Sequence, residues 1–248
     1  MLLSNYLHQY KSAILSLPKG TVLTKEDLQV DKLLMERNGK VEIYYAPHNE
    51  YINPSAKMII IGLTPGFTQM GIAIQEAIIS LEAGLSDEEV CRTAKEAARF
   101  AGSMRNTLIH MLDTLKLHQH LNLTSCEELF QQQQTILHTS SLLRFPVFVD
   151  KKNYSGTQPK LLSNSFLRAQ ALSSLREELN ILSRALIIPL GKTVESILQL
   201  LVSAGELDKQ RCLWGFPHPS GANGHRYKQF ASQQEQMVKI LHNHSWRG

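Results

Sequence analysis

Cysteine is scarce in this chain. Cys91, Cys126 and Cys212 stand singly and far apart, too scattered for a disulfide framework or a Cys-x-x-Cys metal or iron–sulfur site. Long hydrophobic runs are absent as well: no stretch approaches the roughly 18 uninterrupted apolar residues of a membrane span. The first residues lack the basic stretch, apolar core and small-residue cleavage site of an export signal. A reducing, cytoplasmic setting is therefore expected, with no membrane partner. The ten histidines form no HExxH and no Cys/His ladder; His118 and His120 are two apart, and His242 and His244 read as exposed residues near a chain end. Gly191-Lys192-Thr193 imitates the end of a phosphate-binding loop, but Leu186 stands where that loop needs its first glycine. Neither a metal nor an organic cofactor is expected. Internal repeats and long linkers are missing too, so a single domain over 1–248 is predicted, with 1–41 as a helical extension packed on it and a monomer as the expected state.

What is present is ordinary globular composition: 248 residues, 43% hydrophobic and 19% charged, enough for one large core. The net charge of +4 favours a polyanionic partner without demanding one. Leu3, Tyr6, Leu7, Tyr10, Ile14 and Leu15 make a helical stripe that ends before Pro18 and Gly20. Thr24 heads a second expected helix, running to the Asn38-Gly39 turn. Residues 57–63, KMIIIGL, read as a short buried strand, and 135–143, 185–191 and 212–216 as three more. Ser86 with Glu89 is a capping box opening helical sequence that breaks near Gly102 and continues to about Leu117; Thr124 with Glu127 repeats the device, with residues 131–134 as the solvated end of that helix. Residues 150–159 read as a polar loop. Helices are also expected from Leu167 to Leu182, from Thr193, and from Tyr227 to Leu241. Buried strands alternating with helices predict an α/β fold, a three-layer α/β/α arrangement around a central, mostly parallel four-stranded sheet. Ligands in such sheets bind beyond the carboxyl ends of the strands, where residues 62–69 and 216–226 both fall.

The first of these segments, Gly62-Leu63-Thr64-Pro65-Gly66-Phe67-Thr68-Gln69, combines glycines that allow close backbone approach with one fixed proline and polar side chains. Alone it is equally a tight turn between a strand and a helix, with Phe67 packed on the core. The second sets His218 between Pro217 and Pro219, then runs through Ser220, Gly221, Ala222, Asn223 and Gly224 to the pair His225-Arg226. A rigidly held histidine suits a hydrogen-bond donor, and Ser220, the loop amides and Arg226 suit phosphates. The alternative is a stiff surface turn.

Together the two segments resemble the signature pair of the uracil-DNA glycosylase superfamily, whose members carry a strand-end Gly-x-x-Pro-Gly or Gly-x-x-Pro-Tyr loop and a His-Pro-Ser loop. Here these are residues 62–66 and His218-Pro219-Ser220, the latter continuing to Arg226. Phe100 to Arg105 and Leu190-Gly191 also resemble superfamily positions, so the likeness runs from about 42 to 241. The resemblance implies DNA as partner and a monofunctional glycosylase that flips a base from the stack and hydrolyses its N-glycosidic bond, leaving an abasic site. It implies His218 as donor to the departing base, Phe67 stacking on that base, and Gly62, Leu63, Pro65 and Gly66 lining its edge. Ser220, Gly221, Ala222, Asn223, His225, Arg226 and Arg105 would bind DNA.

The chain departs from the pattern of other members at three places, and at a fourth, Gly66, from the uracil-specific ones. Thr64 occupies the position where several families carry Asp or Asn; it can orient water but is no effective base, so Asn53, Gln69 and Asp150 are further candidates for positioning water. The base-reading Asn is replaced by Thr139-Ser140-Ser141, with Ser141 or Asn153 as substitutes. Ala222 stands at the position of a wedge leucine. Gly66 stands where uracil-specific members use tyrosine against C5 substituents, which leaves room for a bulkier pyrimidine such as the glucosyl-hydroxymethylcytosine of some phage genomes. That would place the protein in an anti-phage defence branch. Excision of uracil or another deaminated base in DNA repair is the alternative. A non-catalytic DNA-binding protein on the same fold, or a small-molecule α/β hydrolase, are readings of another class.

Overall fold

The computed structural model describes residues 1–131 and 133–246. In chain order its regular elements are α1 (Tyr6–Leu15), α2 (Lys25–Leu28), β1 (Leu34–Asn38), β2 (Val41–Tyr44), β3 (Met58–Gly62), α3 (Phe67–Glu82), α4 (Asp87–Ala98), α5 (Ser103–Thr114), α6 (Leu117–His120), β4 (Leu137–Ser141), β5 (Val147–Val149), β6 (Lys152–Asn153), α7 (Ser165–Ile181), β7 (Leu186–Pro189), α8 (Lys192–Ser203) and α9 (Arg226–Asn243), with short 3-10 turns between some of them. They fall into two compact units interleaved along the chain. One comprises Met1–Ile52, Thr64–Ala101 and Leu143–Gln170; the other comprises Asn53–Leu63, Gly102–Leu142 and Ala171–Gly248.

The first unit holds an antiparallel sheet in the order β1-β2-β5-β6. Sequence reasoning placed a helix from Thr24 to residue 38. The capping box of Thr24 with Asp27 does start a helix, but it ends at Leu28, and 34–38 pair with 41–44 across a turn at Gly39, whose φ is +60°. Short-range capping thus fixed the helix start, while cross-strand pairing fixed its end. The expected polar loop at 150–159 likewise contains a hairpin: Asp150 and Lys151 both take positive φ, 48° and 60°, the geometry of a two-residue primed turn, and bring β6 back onto β5. The core of this unit joins Leu7 and Ile14 of α1, Tyr45, Phe148, and Met70, Ile74 and Ile78 of α3. Ala73 meets Ala94 and Ala98, small residues that let α3 and α4 approach closely.

The second unit holds the parallel sheet, in the order β4-β3-β7. Met58, Ile59, Ile60 and Ile61 are fully buried in the middle strand, as a continuously apolar run predicts. The expected four-stranded parallel sheet is corrected to three strands. The segment at 212–216 makes only a single parallel bridge, Ile187 to Cys212, because the chain curls directly after it: the Trp214 N–H donates back to the Cys212 carbonyl at 3.0 Å, and Gly215 follows at φ +90°. The expected box of Thr124 with Glu127 is also corrected: Ser125 accepts from the Glu127 N–H and caps a 3-10 turn, Cys126–Phe130. Of the residues assigned to the end of that helix, Gln132 lies outside the described residues. The break at Gly102 is present, with φ +84° between α4 and α5.

Candidate functional site

In the second unit the site begins at the carboxyl edge of the parallel sheet. Gly62 ends β3 opposite Ser141, the last residue of β4, and the Leu142 N–H donates to the Gly62 carbonyl at 2.9 Å. On the other side of β3, the strand β7 runs into Gly191, whose φ of +89° starts α8. A Cβ on Gly191 would stand 3.2 Å from the Cβ of His218, so both the backbone angle and the close approach require glycine here. His218 is thereby seated at the carboxyl edge of the sheet. Its flanking prolines are buried.

The hydrogen bonds of His218 decide its chemistry. Nδ1 accepts from the Ser220 N–H at 3.3 Å and lies 3.0 Å from the Ser220 hydroxyl. A ring nitrogen that accepts from a backbone N–H carries no proton, which assigns the proton to Nε2. Burial holds the imidazole below its ordinary pKa, favouring this neutral form. The result is a neutral donor, oriented by its own loop, whose Nε2–H has no partner among the described residues.

Asn223, expected on DNA, is used inside the loop: its Nδ2 donates to the His218 carbonyl at 3.1 Å and to Gln229 Oε1 at 2.9 Å. Arg226 donates to the Asn223 carbonyl at 3.2 Å and lies over the Tyr227 ring, 4.6 Å from its centroid. Gly221, Ala222, Gly224 and His225 form the exposed tip. Arg105 is half-buried near the start of α5, 5.6 Å from the ring centroid of Phe130.

The first unit carries residues 64–69, and there nearly every polar group is committed. The Thr64 hydroxyl donates to the Phe145 carbonyl and accepts from the Val147 N–H, both at 3.1 Å, so it staples its loop to the strand β5 and is not available to orient water. Gln69 is the third residue of α3, and its Oε1 accepts from the Gly66 N–H at 3.1 Å as a helix cap. Asn153 accepts from the Phe67 N–H at 2.9 Å through Oδ1, leaving Nδ2 without a partner among the described residues. Phe67 is half-buried against the apolar core of this unit. A Cβ on Gly66 would lie 3.0 Å from Gln69 Oε1 and 3.5 Å from Asn153 Nδ2, so two carboxamides flank the gap that the missing side chain leaves. Asp150 sits in the tight turn and pairs with Lys40 at 3.1 Å.

Asn53 is corrected as a candidate for positioning water. Its Nδ2 donates to the carbonyls of Thr135 at 2.7 Å and Leu137 at 3.2 Å, at the amino end of β4. Four residues of strand, about 13 Å, separate that end from Ser141. Thr64, Gln69 and Asn53 carry no carboxylate, and that of Asp150 is paired with Lys40. As for metals, Asp113, His118 and Cys126 bring one donor atom each within 4.8 Å of one another. The carboxylate of Asp113 is spent on the Cys126 N–H and the Ser125 hydroxyl, both at 2.7 Å, and burial pushes the Cys126 thiol up, away from the thiolate a metal would bind.

Comparison with known families decides the lineage. The model of the uracil DNA glycosylase superfamily matches residues 50–242. The chain belongs to that superfamily. Its members are in general DNA glycosylases, hydrolases of the N-glycosidic bond, and membership implies DNA binding. The chain is also 42% identical over 236 residues to a protein of Bacillus subtilis (strain 168) described as uncharacterized protein YoxB, the alignment covering 95% of this chain and 91% of that one. No solved structure matches. No helix among the described residues is long and apolar enough to cross a membrane.

The uracil DNA glycosylase superfamily match includes both loops and β3, β4 and β7, but begins after β1 and β2. Sequence reasoning missed two features inside it. One is the contact of Gly191 with His218, signalled only by a glycine following a buried strand. The other is a buried polar network behind β4, where Ser140 Oγ donates to Glu178 at 2.8 Å and His138 lies 3.4 Å from the same carboxylate. Its signal was the run of polar residues in a strand that must be buried.

Proposed function

We propose that this chain is a monofunctional DNA glycosylase in which His218 stabilises the departing base. The observation that carries the reading is the geometry of His218: neutral, desolvated, fixed through Nδ1 and presenting Nε2–H. In N-glycosidic hydrolysis the C1′–N bond breaks with its electron pair going to the base, positive charge develops on the sugar, and water adds to C1′ and gives up a proton. A donor aimed at the developing anion stabilises the transition state more than the ground state. With the Thr64 hydroxyl committed elsewhere, the reaction relies on leaving-group stabilisation and not on a strong base for water.

The proposed substrate is a pyrimidine with a polar group on C5, such as hydroxymethylcytosine or its glucosylated form in phage DNA. Gly66 supplies no side chain to exclude it, and the carboxamides of Gln69 and Asn153 beside Gly66 offer hydrogen bonds to hydroxyl groups. The experiment is base release, read by mass spectrometry, from DNAs carrying uracil, hydroxymethylcytosine or glucosyl-hydroxymethylcytosine, with His218→Ala beside the native chain. Release of a C5-modified base, lost in the variant, is the expected result; release of uracil alone would overturn the substrate assignment.

A second reading, a non-catalytic DNA-binding protein, is favoured by the committed Thr64 hydroxyl. It predicts DNA affinity without release of any base in the panel.

A further inference from the structure

A cavity of about 490 Å³, lying wholly within the second unit, opens between the first turn of α8, the Trp214–Gly215 turn, α9 and the His218 loop, with His218 itself in its wall. Its size is that of small-molecule sites. Trp214 lines it with an indole whose Nε1 already donates to the Lys209 carbonyl at 2.9 Å, so what the ring offers a ligand is its face. Glu195 lines it too, with Oε1 accepting from the Gly215 N–H and Oε2 without a partner among the described residues. Gln233 lies over Gly215, whose Cβ would meet it at 3.0 Å, and Gln236 adds a second carboxamide. Lys192 also lines it, as do Phe216, Pro217, His218 and Asn223 of the His218 segment.

This set selects its ligand by exclusion. A half-buried carboxylate disfavours phosphate beside it, a purely apolar ligand would strand the amides, and a flat ring with donors and acceptors on its edge can pair with both the carboxylate and the amides. Glutamate accepts from an exocyclic amino group, as it does from cytosine, and glutamine matches adenine. We propose that this cavity binds an unstacked nucleobase bearing an exocyclic amino group, supplied by the DNA that the His218 loop holds, with Trp214 stacking on it, Glu195 accepting from its amino group and Lys192 meeting its phosphate. The proposal rests on the DNA-binding reading of the His218 loop but not on base release. Stacking on an aromatic side chain is a general means of holding single-stranded DNA.

The chain has two tryptophans, so Trp246→Phe leaves Trp214 as its sole indole reporter. Fluorescence of this protein is titrated with single-stranded oligonucleotides of cytosine, of adenine, of thymine, or with abasic spacers, and with free cytidine and adenosine. Saturable quenching by the cytosine or adenine strands, at least about tenfold tighter than by thymine or abasic strands and weakened about tenfold by Glu195→Gln, is the expected result. Glu195→Gln keeps an acceptor for the Gly215 N–H, and Gln236→Ala is a second variant that leaves that bond untouched. Equal quenching by all strands would overturn the proposal in favour of backbone contacts. Quenching by free nucleosides as tight as by the strands would overturn the DNA source, and no quenching would overturn the site. Base release, measured separately, reports on the glycosylase reading alone.

Discussion

The two loops that carry the family likeness use their polar atoms in opposite ways. In residues 64–69 the Thr64 hydroxyl, the Gln69 Oε1 and the Asn153 Oδ1 that joins them all bind backbone groups of the same unit. In residues 218–226 the internal bonds converge on His218 and leave its Nε2–H unspent. The first loop is a scaffold by chemistry, and the second is a scaffold built to hold one donor. Side chains of similar polarity in the sequence therefore carry very different functional weight.

The largest expected effect follows directly. His218→Ala should lower single-turnover base release by about 100- to 1000-fold, the usual cost of removing one preorganised donor, while thermal unfolding stays close to native. A loss under tenfold would erase the distinction between the loops. Thr64→Val should do the reverse: leaving the Phe145 carbonyl and the Val147 N–H without their partner should cost about 1–3 kcal/mol in denaturant unfolding, while release by the folded protein changes less than about tenfold. Abolished release with native stability would instead return Thr64 to the chemistry.

Asn153 sharpens the comparison, since one atom is committed and the other is not. Asn153→Ala should cost about 1 kcal/mol through the lost cap on Phe67. Asn153→Asp keeps an acceptor there and places negative charge at the start of α3, so stability should hold, while release of a C5-hydroxylated base should fall about tenfold through loss of Nδ2. Equal release by both proteins would make Asn153 purely structural.

The last comparison separates His48, which is buried, from His218, which is half-buried, by pH. Burial lowers the His48 pKa to about 3, with the Lys95 charge adding to it. Because the folded value lies below the unfolded one, the stabilisation is complete above about pH 6.5 and is lost as pH falls towards 3, by about 1.4 kcal/mol between pH 7.5 and 5.5. Urea unfolding across that range measures it, and His48→Gln should flatten the slope. His218, also lowered by burial, should hold release to a lower pH than an ordinary imidazole would, losing it where protonated Nδ1 can no longer accept from Ser220.

How much of this was legible depends on the range of the interaction. The buried strands at 58–62, 137–141 and 186–189, the capping box at Ser86 and the break at Gly102 all follow from local pattern, and each forms where its residues predict. The hairpin at Asp150-Lys151 was invisible because its positive-φ positions carry no glycine or asparagine, and β1 because helical residues follow a genuine helix start. The roles of Asn53 and Asn223 were misread because an amide's partners are backbone groups distant in sequence.

By itself the sequence determined the lineage, the parallel sheet's strands and the rigid Pro217-His218-Pro219 setting, since these depend on apolar runs and on proline's fixed backbone. Tertiary structure alone decided which polar atoms remain free. Only folding brings Phe145 and Val147 to Thr64, Phe67 to Asn153 and Gly191 to His218, and a hydrogen bond satisfied at long range leaves no mark on the residue that makes it.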